Sequence, residues 1–149
     1  MKKIFQYTLY TLLLSVIVCA CGDDLDVQQV YGFDFEVMPV PKKIAQGETV
    51  EIRCEIIPEG VYSGTSYKIR MFQYDGKGSL MLDNGTVLQP NDMYRLDNTT
   101  FKMYFTAHSA EAQSFDVFII DSHNQIVQKT FSFQNDSGKD EEDESTETT

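Results

Sequence analysis

The chain has 149 residues, with 23 acidic side chains against 12 basic ones and a formal charge of −11. It therefore lacks the cation surplus that binding to nucleic-acid phosphates requires. Three cysteines and no tryptophan leave no disulfide framework, and the length allows one domain plus tails.

Lys2 and Lys3 precede an almost wholly apolar run from Thr8 to Ala20. That run falls short of the roughly 20 residues of a membrane span and suits the core of an export signal. It closes on Val18-Cys19-Ala20-Cys21, an aliphatic residue, a spacer, a small residue and then cysteine. The boundary resembles the bacterial lipobox. The resemblance implies that residues 1–20 leave as a signal peptide, Cys19 with them. Cys21 then becomes the lipid-attachment site, acylated and carrying palmitate-type chains. Several acyl chains hold a protein stably where one does so only marginally. An ordinary signal peptide with cysteines in its core is the plainer alternative. Residues 21–32 form a polar tether. Gly22 follows the cysteine where aspartate would mark inner-membrane retention in some Gram-negative bacteria, so the outer membrane is the expected location. Loss of Lys2 and Lys3 leaves a mature charge of −13.

From Phe33 the pattern changes to period-two alternation, the mark of strands with one buried and one wet face. "FDFEVM" alternates until Pro39 and Pro41 interrupt it. Proline cannot donate to a ladder, so this strand belongs at an edge and kinks between two sheets. Gln46-Gly47-Glu48 turns the chain into "TVEIRCEI", with Val50, Ile52, Cys54 and Ile56 inward. Cys54 reads as a small core hydrophobe. "SYKIRMFQY" places Tyr67, Ile69 and Met71 on one face and Lys68, Arg70, Phe72 and Tyr74 on the other. "LML" and "TVL" flank Asp83-Asn84-Gly85, a hairpin signal in which Asn-Gly tolerates positive φ at both central positions. "MYRL" and "FKMYFTA" follow, the latter with Phe101, Met103 and Phe105 inward. The last strands, "SFDVFIID" and "QIVQKTFSF", meet at Ser122-His123-Asn124. The expected domain is residues 33–134, an all-β, immunoglobulin-like β-sandwich of seven to nine strands without a disulfide. Residues 135–149, including "DSGKDEEDESTETT", hold no large apolar residue and read as a disordered acidic tail.

Chemistry-bearing patterns are sparse. Asp121-Ser122-His123 has the letters of a catalytic triad, but neighbours in a hairpin turn cannot form the relay. Gly76-Lys77-Gly78-Ser79 lacks the strand–loop–helix setting of a phosphate cradle. No metal-ligand spacing occurs, and nothing calls for a cofactor or a small-molecule substrate. No catalytic residue is assigned, and an enzyme is not expected. Phe72 and Tyr74, with Phe118 and Ile120, lie opposite the core faces of their strands. Together they make a candidate partner surface. The competing reading, which the sequence favours, is that the excursion from Leu80 to Leu96 folds over these side chains and buries them.

Five blocks stand in order: "CGDDLDVQQVYGF", "MPVPKKIAQGETVEIRC", "YKIRMFQYDGKGSL", "NGTVLQPNDMYRL" and "FKMYFT". In sequence and spacing they resemble the TraQ family of conjugative-transposon lipoproteins, over most of Cys21 to Phe133. The resemblance implies a small immunoglobulin-like lipoprotein encoded with a transfer operon. It brings no catalytic residues and does not reach the acidic tail. The expected function is an envelope-anchored accessory of a DNA-transfer apparatus, touching other envelope proteins of that apparatus. The alternative is a general surface module for protein or glycan, unrelated to transfer. Glycan sites favour exposed aromatic platforms on loops, and this chain has no tryptophan and few loop aromatics, Tyr62 being the main one. Protein contact through a strand edge or a sheet face is the better-supported mode.

Overall fold

Alternating side chains become two packed sheets. The computed structural model describes residues 3–4, 31–60 and 64–138. Apart from residues 3 and 4, the expected signal peptide lies outside the described residues, as do Cys21, the tether up to residue 30, Tyr62 and the tail beyond residue 138.

Ten strands follow in chain order: β1 (Phe33–Val37), β2 (Lys43–Ile44), β3 (Thr49–Pro58), β4 (Tyr67–Asp75), β5 (Gly78–Leu82), β6 (Val87–Leu88), β7 (Tyr94–Leu96), β8 (Thr100–Ala107), β9 (Gln113–Asp121) and β10 (Ile126–Asn135). The described residues between 31 and 138 contain no helix. β2 and β6 are two-residue strands, and the other eight fall within the expected seven to nine. One sheet has the order β1-β3-β8-β5-β6 and the other β2-β10-β9-β4-β7. The cores of the two sheets, β1-β3-β8-β5 and β10-β9-β4, correspond to the ABED and GFC sheets of an immunoglobulin sandwich.

Pro39 and Pro41 do what the sequence predicts. β1 pairs antiparallel with β3 at the edge of one sheet, and β2 pairs parallel with β10 at the edge of the other. The chain changes sheets in the proline segment, where the ladder would lack donors.

The interior is apolar and rich in phenylalanine. Phe105 stacks on Phe115 at 4.4 Å and on Phe133 at 5.7 Å, and Phe115 stacks on Phe131 at 5.1 Å. Ile52, Ile69, Met103 and Val117 are fully buried around them. Cys54 is 3% exposed, and burial pushes its thiol up to about 12. It packs as a small hydrophobe, as expected, and is a free cysteine.

The β5–β6 hairpin corrects one detail. The Gly85 N–H donates to the Leu82 carbonyl at 2.9 Å, and only Gly85, at φ 85°, is left-handed in that turn. This is a three-residue loop closed by a left-handed glycine, not a two-residue turn with positive φ at Asn84 as well. The Thr86 N–H donates to Asn84 Oδ1 at 2.9 Å across the turn.

The two ends of the sandwich differ. Gln125 Nε2 donates to the Tyr31 carbonyl at 2.8 Å, so the segment leading from the expected anchor enters beside the β9–β10 turn. β10 runs away from that end, and residue 136 emerges at the other, where the Asp136 N–H still donates to the Ile44 carbonyl at 3.0 Å.

Candidate interaction surface

The outer face of the β2-β10-β9-β4-β7 sheet holds the residues that the sequence singles out. Tyr67, Ile69 and Met71 point inward from β4, which leaves Lys68, Arg70 and Phe72 outward. Phe72 is 42% exposed and Tyr74 49% exposed, with ring centroids 6.4 Å apart. Phe118 is half-buried, and the Arg70 guanidinium lies 4.8 Å from its ring centroid, a cation–π contact.

Ile120, on the same outer face, is only 6% exposed and so offers a partner little area, contrary to the expectation from its alternation. It sits on the central strand β9, flanked in register by Lys68 on β4 and Ile126 on β10. The excursion from Leu80 to Leu96 does not cover this face. It supplies β5 and β6 to the opposite sheet and β7 to the margin beside β4, because its apolar side chains find their ladder partners there.

A β-bulge aims Tyr74. The β4–β9 register steps from Gln73↔Phe115 to Asp75↔Ser114, which leaves Tyr74 as the extra residue. Its hydroxyl donates to Asp116 Oδ1 at 3.5 Å, and Thr130 Oγ1 donates to the same oxygen at 2.6 Å. Partial desolvation, and then the Asp116 charge, raise the Tyr74 phenol above its ordinary value.

Behind the bulge lies a polar knot that pattern reading misses. Gln113 is fully buried at the start of β9. Its Nε2 donates to the Glu111 carbonyl at 2.9 Å and to Ser109 Oγ at 3.1 Å, and its Oε1 accepts from Gln73 Nε2 at 3.0 Å. Gln73 Oε1 in turn accepts the Gly78 N–H at 3.1 Å. A Cβ on Gly76 would sit 2.5 Å from the Gln113 amide at φ +71°, so the β4–β5 turn is closed by glycine for space and for conformation. The glycine pair Gly76 and Gly78 was the one sequence signal of this close approach.

Asp121-Ser122-His123 forms the β9–β10 turn. Asp121 is 4% exposed, and its Oδ1 accepts the backbone N–H groups of His123 and Gln125 at 2.8 and 2.7 Å. Its Oδ2 accepts Gln125 Nε2 at 2.8 Å. Gln125 Nε2 thus ties this turn to the incoming chain at Tyr31. Burial, and then the Asp121 charge, raise the phenol of the neighbouring Tyr67. Among the described residues no group of three or more His, Cys, Asp or Glu side chains is placed to hold a metal ion. A shallow groove of about 200 Å³ lies against the other sheet, beside Met38, Arg53 and Thr100.

The family model described as TraQ conjugal transfer protein matches residues 4–136. Three solved structures are similar across nearly their whole lengths. A conjugative transposon lipoprotein from Bacteroides eggerthii is 49% identical, with a TM-score of 0.67, covering 71% of this chain and 100% of that one. A lipoprotein from Bacteroides thetaiotaomicron is 50% identical, with a TM-score of 0.68, covering 85% of this chain and 98% of that one. A conjugate transposon protein from Bacteroides vulgatus is 46% identical, with a TM-score of 0.64, covering 77% of this chain and 94% of that one. The curated proteins contain no match.

Proposed function

Because this chain is a member of the TraQ family of conjugal transfer proteins, we propose that it is an envelope-anchored accessory of a conjugative-transposon transfer apparatus that works by protein contact. It is a conjugation-associated lipoprotein. The observation that carries the reading is the family match over residues 4–136, which spans the whole sandwich.

Cys21 is the proposed lipid-attachment residue, and the outer membrane the proposed location. Phe72 and Tyr74 are the proposed contact residues, with Phe118 at their margin. Two exposed rings on a regular sheet, one of them aimed by a bulge, offer apolar area at little entropic cost. Anchoring concentrates such a surface beside its partners in the envelope.

The test is a clean deletion in the donor, complemented in turn by the parental chain and by Cys21→Ser. The reading expects transfer frequency to fall on deletion, to return with the parental chain and to stay low with Cys21→Ser. Parental transfer from the deletion strain would favour a surface module unrelated to transfer.

A further inference from the structure

At one end of the β2-β10-β9-β4-β7 sheet, the last outward row of side chains runs Ile126, Ile120, Lys68 and Arg95 across β10, β9, β4 and β7. The row lies one residue inside the strand ends, where Tyr67 pairs with both Asp121 and Leu96. This is the end at which the chain arrives from the anchor side, since Gln125, next to Ile126, holds the Tyr31 carbonyl. Ile126 is 57% exposed and Tyr31 40% exposed, whereas Ile120 is buried.

Lys68 and Arg95 face each other directly, and like charges so placed destabilise a sheet. Arg70 follows in the next outward row, over the Phe118 ring. None of the three makes an ion pair among the described residues, where the cationic partners are Arg53, Lys102 and His123. Arg70 Nε is buried with no hydrogen-bond partner. The register partners of Lys68 and Arg70 on β9 and β10 are Ile120, Ile126, Phe118 and Gln128, so no carboxylate shares their rows. Asp97 lies past the end of β7, and Glu59 and Asp83 follow β3 and β5 of the opposite sheet. The cationic side of this end is therefore the outer face that carries Lys68.

Unpaired cations beside exposed apolar side chains, at the point where an anchored chain enters its domain, match the chemistry of a bilayer surface. We propose that Lys68, Arg70 and Arg95 bind the phosphate-bearing headgroups of anionic lipids in the membrane that holds the anchor, with Ile126 set into the headgroup boundary. The proposal rests on Cys21 being the lipid-attachment residue put forward above. Basic side chains lay their stems along apolar surface and extend their charge to the headgroups. Binding of this kind grows with the apolar area inserted and with the attraction of anionic lipid for cations.

The acidic excess of the chain opposes such contact for a free domain. Tethering offsets this. Ten residues along the chain separate Cys21 from Tyr31, a span of at most about 35 Å, which keeps the rim at an effective concentration in the millimolar range. Acids farther from the bilayer than the Debye length of about 8 Å are screened. The contact also orients the domain. Phe72 lies four residues along β4 from Lys68, about 14 Å farther from the entry end. A rim seated on headgroups thus holds Phe72 and Tyr74 above the bilayer, open to a protein.

The test couples the chain from residue 21 to residue 149, through the Cys21 thiol, to a maleimide-headed lipid in small bicelles. The buried Cys54 thiol, pushed up to about 12, stays uncoupled. The bicelles are phosphatidylcholine with or without phosphatidylglycerol, and a trace lipid carries a nitroxide on its headgroup. With phosphatidylglycerol at low salt, the amide signals of residues 68, 70, 95 and 126 should be lost to broadening, while those of residues 47–51 at the opposite end stay sharp. The selective loss should be absent in phosphatidylcholine alone and should be reversed near 0.5 M salt, where charges are screened beyond about 4 Å. It should also be absent in Lys68→Gln/Arg95→Gln, whose unchanged shifts elsewhere certify the fold. Uniform broadening of both groups, equal broadening in the two lipid mixtures, or persistence in the double variant overturns the proposal. If no selective loss occurs while the double variant still lowers transfer from the complemented donor, the cations belong to an acidic protein partner and the proposal is likewise overturned. Coupling supplies the tether chemically, so this result is read whether or not Cys21 is acylated in the cell, which acyl labelling of the parental and Cys21→Ser chains decides separately.

Discussion

Gln113→Leu tests the polar knot that holds the bulge. The substitution keeps a side chain of similar bulk and removes an amide that donates to Glu111 and Ser109 and accepts from Gln73. Each neutral hydrogen bond contributes about 1 kcal/mol net, and a buried group left without its partner costs about 1–3 kcal/mol. Gln73 keeps its bond to the Asp75 carbonyl at 3.1 Å, and the exposed Glu111 region can be rewetted, which limits the stranded groups. The expected loss is about 2–4 kcal/mol. For a domain near 100 residues that corresponds to a fall in Tm of roughly 10–20 °C. Denaturant unfolding followed by circular dichroism should give a lower midpoint at unchanged slope. Gln113→Glu adds a check of sign. A carboxylate there would face the Ser109 and Glu111 carbonyl oxygens, so burial and these acceptors raise its folded pKa above the unfolded value of about 4.3. Its stability is then fully present below about pH 4 and is lost as pH rises through the folded value. A Gln113→Leu loss below about 0.5 kcal/mol, or a Gln113→Glu chain most stable at neutral pH, would refute the assignment of the knot as a structural fastener.

Ile52 is fully buried, so Ile52→Asp should cost more than about 4 kcal/mol and leave the chain unfolded or aggregated, whereas Glu51→Lys on the wet face should stay within the scatter of surface substitutions; a helix-rich circular-dichroism spectrum of the parental chain would contradict the fold itself. The Cys54 thiol should resist a thiol reagent at pH 8 and react only as fast as the domain opens, because burial has pushed it to about 12. A chain ending after Gly138 should melt within about 2 °C of the parental one, since residues 139–149 hold no large apolar residue whose burial could stabilise the domain. A larger loss would mean that the segment packs as part of the core.

The sandwich was legible because its signals are local. Alternation in "TVEIRCEI" and "FKMYFTA" assigns the core faces, and two prolines announce the change of sheet. β10 extends to Asn135, and the Asp136 N–H donates to the Ile44 carbonyl, because the parallel pairing with β2 continues past the last alternating residue. The surface was only partly legible, because outward pointing is not the same as exposure. Phe72 lies toward the margin and stays open, whereas Ile120 occupies the same face on a central strand, flanked on both sides, and is buried. Gln113 was illegible for a different reason. Its partners, Gln73, Ser109 and Glu111, are drawn together by pairing of β4 with β9, and no spacing along the chain encodes that meeting. The opposition of Lys68 to Arg95 likewise exists only once β7 takes its place beside β4.

The central claim is that this anchored sandwich serves transfer through its outer aromatic face, and Phe72→Asp/Tyr74→Asp tests it most directly. Both side chains are more than 40% exposed, so the variant should keep the parental Tm and its level in the envelope. Complementing the deletion donor with this variant should give a transfer frequency close to that of the deletion. Transfer at the parental frequency from a stable, correctly localised variant would contradict the account.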